Sequence, residues 1–234
     1  MCGRASLSKI EKELEERFKA TFYREELERY QVLPSYNIAP THLHPVMINE
    51  QPNQLRLFQW GLIPYWAKDA SIASKLINAR KETVLEKPAF RQAIQQRRCL
   101  VPFDSFYEWK KEGNRKQAYR ICKKDESVFC VAGIWEKWID SQGKTIHTFT
   151  LLTQPPNPLL AKIHNRMPAI LLPEQEKVWI DPKVNAQEAL RLVVPYPDEA
   201  LKVYPVSNRI NKVRENDAAL LDEVKPGPIQ GTLF

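Results

Sequence analysis

The middle of the sequence constrains the fold more than any other part of it. Four runs rich in β-branched and aromatic residues, 99–103, 118–123, 128–138 and 145–153, follow one another closely. Two more β-type runs precede them at 45–49 and 54–62, and Lys111-Glu112-Gly113-Asn114 reads as a hairpin turn. Helical patterns lie outside this block. Ser8 followed by Glu11 is a capping-box pattern, and Ile10, Leu14 and Phe18 then recur at helical spacing through Lys19. Further helices are expected over 24–30, over 88–96 with Pro88 at the first position, and over 174–179, 186–193 and 217–222. Strands in the middle with helices at the margins make an α+β arrangement.

No repeat, low-complexity tract or composition shift marks a linker, so residues 1–223 are read as one domain. Pro226-Gly227-Pro228 is expected to make 224–234 an extended, mobile tail. Lys and Arg outnumber Asp and Glu by 35 to 28, a formal +7 that favours a polyanionic partner. No apolar stretch approaches the roughly 20 residues that span a bilayer. The N-terminus lacks the apolar region of a secretory signal, so the chain is expected in the cytoplasm with no membrane partner. In that reducing compartment Cys2, Cys99, Cys122 and Cys130 are expected to remain thiols. His42 and His44, expected on the surface, match no standard zinc spacing with Cys122 and Cys130, so neither metal nor cofactor is expected.

Cys2 is the first candidate for chemistry. Removal of Met1 would leave it with an α-amine of pKa roughly 8 and a thiol of roughly 8.5, both partly nucleophilic near neutrality. Such a 1,2-aminothiol condenses with an aldehyde to an imine, which the thiol closes into a thiazolidine. From position alone, a frayed terminal residue is the simpler reading.

Phe106-Tyr107-Glu108-Trp109 sets one carboxylate among large aromatics, an environment that raises its pKa toward that of a usable acid/base group. In a strand, Glu108 shares a face with Phe106 and Lys110; an outward-facing Glu on an edge strand fits as well. His164-Asn165-Arg166-Met167-Pro168 carries one of only four histidines, a proton shuttle near neutrality or a hydrogen-bonded structural residue. Asn78-Ala79-Arg80-Lys81-Glu82-Thr83 offers an amide for a sugar hydroxyl and a guanidinium for phosphate, or an ordinary polar loop. Arg4, Arg80, Arg91, Arg97, Arg98 and Arg166 interleave with Trp60, Trp66 and Trp109, as a single-strand groove requires, although some tryptophans belong in a core.

Together these stretches resemble the SOS-response-associated peptidase (SRAP) family of abasic-site processing proteins. The resemblance runs, in the family's order, through Met1-Cys2-Gly3-Arg4, Tyr36-Asn37-Ile38-Ala39-Pro40-Thr41, Trp60-Gly61-Leu62-Ile63-Pro64, Asn78-Ala79-Arg80-Lys81-Glu82-Thr83, Phe106-Tyr107-Glu108-Trp109, His164-Asn165-Arg166-Met167-Pro168 and Tyr204-Pro205-Val206-Ser207. It implies a single α+β domain with a barrel-like, mostly antiparallel β core and peripheral helices. It also implies a monomer, nucleoid-associated when bound to DNA, that senses abasic sites in single-stranded DNA and shields them through a covalent thiazolidine on Cys2. On that resemblance Cys2, Asn78, Glu108 and His164 are catalytic: Asn78 contacts the abasic sugar, Glu108 assists ring opening or proton transfer, and His164 acts on the imine. Arg4, Arg80 and Arg166 hold phosphates, Trp60 or Trp66 stacks on or wedges beside bases, and Pro40 joins the DNA-binding set. Two other functions stay open: a thiol autopeptidase that removes its own Met1, and a non-covalent single-strand-binding module. Weak lyase activity is expected as a side reaction, because an imine promotes β-elimination at an abasic sugar.

Overall fold

The computed structural model describes residues 2–113 and 115–225. Its strands in chain order are β1 (Ala5–Leu7), β2 (Thr21–Phe22), β3 (Ser35–Ile38), β4 (Leu43–Ile48), β5 (Gln51–Trp60), β6 (Asn78–Arg80) and β7 (Arg98–Phe103). They continue as β8 (Ser105–Glu112), β9 (Arg115–Lys123), β10 (Phe129–Ile139), β11 (Thr145–Gln154), β12 (Met167–Pro168), β13 (Ile170–Leu171) and β14 (Leu201–Pro205). The helices are α1 (Glu11–Phe18), α2 (Arg24–Arg29), α3 (Arg91–Gln96), α4 (Pro158–Ala161), α5 (Pro173–Ile180) and α6 (Ala186–Leu192).

Five of these strands close on themselves. β5 pairs with β4, β4 with β7, β7 with β10 and β10 with β11, all antiparallel. The ring is completed by a parallel pairing of β11 with β5, Thr148 opposite Gln59 and Phe149 opposite Trp60. Closure removes the unpaired edges an open sheet would expose. An aromatic layer includes Trp60, Phe103, Phe149 and His44, whose imidazole stacks on Phe103 at 4.6 Å. His44 is therefore buried, not on the surface; burial drives its pKa down to about 3, and its Nε2 bonds the Pro102 carbonyl at 2.7 Å.

A second sheet, in the order β14-β9-β8-β1-β3, grows out of the barrel. β7 of the barrel passes through Asp104 directly into β8 of this sheet. The Asp104 carboxylate gathers β1 to that corner, accepting from the Ser6 hydroxyl and, at 2.5 Å each, from the Ser8 hydroxyl and amide. β8 lies inside the sheet, so both of its edges are paired, and both of its faces are covered as well. Phe106 points into the main core, and Tyr107 into a smaller cluster with Ala118, Val206, Ile210 and Leu220. Burying a large apolar side chain of this kind stabilises the fold by roughly 1.5–3 kcal/mol.

The expected capping box does not form at Ser8, since Asp104 recruits that side chain; α1 begins at Glu11, and the Glu13 carboxylate caps the Ile10 amide at 3.0 Å. The expected helix over 217–222 is a single 3-10 turn, Ala218–Leu221, with Asp217 accepting from the Ala219 amide. The expected tail begins in contact with the fold: Glu223 bridges Val206, and the Val224 amide donates to the Pro205 carbonyl at 2.9 Å. Residues 226–234 of that tail, and Asn114 of the expected hairpin turn, lie outside the described residues.

Candidate active site

The residues singled out for chemistry come from different elements and meet where the five-stranded sheet joins the barrel. Cys2 precedes β1, Glu108 lies on β8, Asn78 opens β6, and His164 follows α4. Cys2 is no frayed end: it is 1% exposed, and its carbonyl accepts from Asn78 Nδ2 at 2.7 Å. β6 carries Asn78 there because it runs parallel to β11, with Leu151 opposite Asn78 and Thr153 opposite Arg80. Strand alternation sends Ala79 into the core and sets Asn78 and Arg80 on the other face. The Asn78 Oδ1 is buried and, among the described residues, accepts no hydrogen bond.

Glu108 is 3% exposed, so the edge-strand alternative does not apply. Burial lifts its carboxyl to about 7. The Cys2 thiol is pushed well above the usual range, first by burial and then by the negative charge of Glu108, so it is held as SH. The Nε2 of His164 lies 3.9 Å from Glu108 Oε2. On the other side of that ring, the Arg166 amide reaches Nδ1 at 3.1 Å. An N–H donated to Nδ1 makes that nitrogen the acceptor and leaves the proton on Nε2, which faces the carboxyl. Burial lowers the His164 pKa below the ordinary histidine value. The arrangement sets a thiol, a near-neutral carboxyl and a neutral imidazole around one point, which suits proton transfer during attack on a carbonyl carbon.

The arginines divide. Arg80 is exposed and available to a polyanion. The Arg166 Nη atoms are both engaged, with Glu82 at 2.8 and 2.9 Å and with the Thr153 carbonyl at 2.7 Å, so Arg166 braces the His164 loop and the expected phosphate contact is not available to it as it stands. Arg4 is half-buried, its Nη1 bonded to Asn37 Oδ1 at 2.7 Å and to the Ile210 carbonyl at 2.8 Å. Pro40 sits half-buried in the turn after β3.

The tryptophans divide as well. Trp60 is 0% exposed, and its Nε1 donates to the Ile77 carbonyl at 2.9 Å; it is a core residue and cannot stack on a base. Trp66 is 48% exposed, on a loop anchored by Trp138 Nε1 to the Ala67 carbonyl at 2.8 Å. Trp109 is half-buried and donates to Asn211 Oδ1 at 2.7 Å. Of the pair expected to meet bases, Trp66 is the one that can.

The model of the family described as "SOS response associated peptidase (SRAP)" matches residues 1–213. This chain belongs to the SRAP family. It is 42% identical over 225 residues to the abasic site processing protein YoaM of Bacillus subtilis, covering 95% of this chain and 98% of that one. It is 30% identical over 238 residues to the abasic site processing protein HMCES of Xenopus tropicalis, covering 86% of this chain and 70% of that one. A crystal structure of a Bacteroides thetaiotaomicron protein superposes with a TM-score of 0.90 at 30% identity, covering 96% of this chain and all of that one. In the SRAP chain described here, sequence reasoning did not assign roles to Asn37, Glu82 and Thr153, which orient Arg4 and Arg166. Asn37 and Glu82 stand inside the quoted motifs, which was the available signal; their arginine partners lie 33 and 84 residues away in the chain. Thr153 carried none, because its contact depends on β11 meeting β6.

Proposed function

We propose that this SRAP protein processes abasic sites in single-stranded DNA, and that Cys2, after loss of Met1, forms a thiazolidine with the ring-opened sugar. The convergence of Cys2, Asn78, Glu108 and His164 carries this reading. The α-amine attacks the C1′ aldehyde, and the carbinolamine loses water to give an imine. The Cys2 sulfur then bonds C1′ as its proton passes to the ring nitrogen, so atoms balance with one water released. Glu108, poised near neutrality, gives a proton to the departing oxygen. His164 can take and return a proton at the imine, and Asn78 Oδ1 can accept from a sugar hydroxyl. Arg80 supplies charge to the backbone and Trp66 a face for a base. Ring closure competes with β-elimination from the imine, which keeps any lyase reaction weak.

Burial and Glu108 both oppose thiolate formation at Cys2, which favours the aminothiol over an autopeptidase using a Cys2 thiolate. The test mixes Met1-processed protein with a single-stranded oligonucleotide carrying one abasic site, followed by a denaturing gel and intact mass. An adduct at the summed mass less one water, absent with an undamaged strand and with Cys2→Ser, is the expected result. An adduct retained by Cys2→Ser would overturn the reading.

A further inference from the structure

Arg166 presents its guanidinium as a fork. Nη1 and Nη2 each donate to one oxygen of the Glu82 carboxylate, at 2.8 and 2.9 Å, the two-point geometry in which an arginine also takes a phosphate. Nη2 is held from the protein side as well, by the Thr153 carbonyl at 2.7 Å and its hydroxyl at 3.2 Å. The arginine side chain is 13% exposed and the glutamate side chain 43%. The anchored half of the pair is therefore the cation, and the half that faces water is the anion. An ion pair with one partner so exposed is weak, so its carboxylate leaves at little cost. It also has cations to turn to, since Glu82 lines a cavity with Lys81 and the exposed Arg191. The fork stands beside the candidate active site: Arg80 lies opposite Thr153 where β6 meets β11, Asn78 is two residues before Arg80, and His164 is two residues before Arg166.

We propose, on the reading above that single-stranded DNA crosses this site, that Glu82 is a specificity-determining residue: it occupies the phosphate seat of Arg166 and yields it only to a strand already held elsewhere on the protein. A carboxylate tethered this close competes at an effective concentration of roughly millimolar or above, so a dilute free anion does not displace it. A backbone phosphate of a strand gripped by Arg80 and Trp66 arrives tethered too, and competes on equal terms. Until then Glu82 keeps the fork ordered and its charge neutralised, while the Arg166 amide stays against His164 Nδ1. The exchange replaces one anion by another, so the pair adds little to the salt dependence of the parent protein.

The experiment measures binding of an undamaged single-stranded oligonucleotide to the parent, Glu82→Gln, Arg166→Ala and the double variant, by fluorescence anisotropy across a salt series. Glu82→Gln should bind roughly 2- to 5-fold more tightly and steepen the slope of log affinity against log salt by about 0.7, the share of one phosphate. Neither gain should appear when Glu82→Gln is added to Arg166→Ala. Inorganic phosphate should compete with the strand more strongly in Glu82→Gln than in the parent at equal ionic strength. Independently of the Arg166 variants, the Glu82 carboxyl carbon, assigned by its loss in Glu82→Gln, should shift in the NMR spectrum of the parent when the strand is added. Weaker binding by Glu82→Gln, an equal gain in both backgrounds, equal competition by phosphate or an unmoved Glu82 signal overturns the proposal. Exchange at Glu82 without an adduct on an abasic strand overturns the proposed chemistry alone, and an adduct with Glu82 unmoved overturns the exchange alone.

Discussion

His164 Nε2 and Glu108 Oε2 stand 3.9 Å apart, and burial moves the two groups toward neutrality from opposite sides. It lifts the carboxyl to about 7 and lowers the imidazole below its ordinary value. Near neutral pH the carboxyl is thus close to half protonated, beside an imidazole shifted toward its neutral form. Little free energy then separates the proton arrangements a multistep condensation passes through.

Glu108 should make stability fall as pH rises. Its folded pKa of about 7 is above the unfolded value, which is roughly 4.3. The folded state therefore binds more proton between those values, and stability present below the lower one is lost as pH climbs through the higher. In the chain retaining Met1, Glu108→Gln should gain on the parent between pH 4.5 and pH 8, by at most ~3 kcal/mol. Urea unfolding at the two pH values measures it; parallel curves would contradict the assignment.

The two tryptophans of the expected stacking pair should separate by phenotype. Trp60→Ala empties a core site and should cost ~3–5 kcal/mol of stability. Trp66→Ala should leave the melting temperature near that of the parent while weakening binding to single-stranded DNA roughly 5- to 100-fold. Thermal melts beside fluorescence anisotropy would reveal a reversal of that order.

Arg80 and Arg166 should differ in salt dependence. Arg80→Ala should reduce the slope of log affinity against log salt by about 0.7, the share of one phosphate contact on a single strand. Arg166→Ala should change that slope less, because its Nη atoms are held by Glu82 and Thr153. It should instead shift the pH profile of adduct formation, since the loop whose Arg166 amide contacts His164 Nδ1 loses its brace to Glu82 and Thr153.

Gly61 should tolerate no side chain. Its φ is +124°, and a Cβ there would lie 2.8 Å from the Ala73 carbonyl oxygen. Gly61→Ala should therefore cost at least ~2 kcal/mol and displace the loop that presents Trp66. Denaturant unfolding tests the first effect and single-strand affinity the second.

The barrel strands were legible because β4, β5, β7, β10 and β11 are long enough to show their apolar and β-branched character. β1, β3, β6 and β14 run from three to five residues and include Ser6, Asn37, Asn78 and Arg80. Segments so short and polar show no period; they are strands because distant partners fix them. Ser8 looked like a helix cap until Asp104, far along the chain, took it. Trp60 and Trp66 are alike as residues, and only the closing of β11 on β5 separates core from surface. The motifs singled out Cys2, Asn78, Glu108 and His164 as candidates, but the depth of Cys2 depends on β1 lying between β3 and β8.

That placement of β1 also sets a clock. Ala5 pairs with Phe106 and Ser6 with Ser105, so part of the shelter around residue 2 is encoded about a hundred residues downstream. At the usual ~5–20 residues per second of synthesis, those partners emerge ~5–20 s after the N-terminus does. During that interval the initiator methionine is open to an aminopeptidase. If trimming falls in that interval, folding encloses an end already shortened, and the order of strands along the chain lets maturation precede assembly.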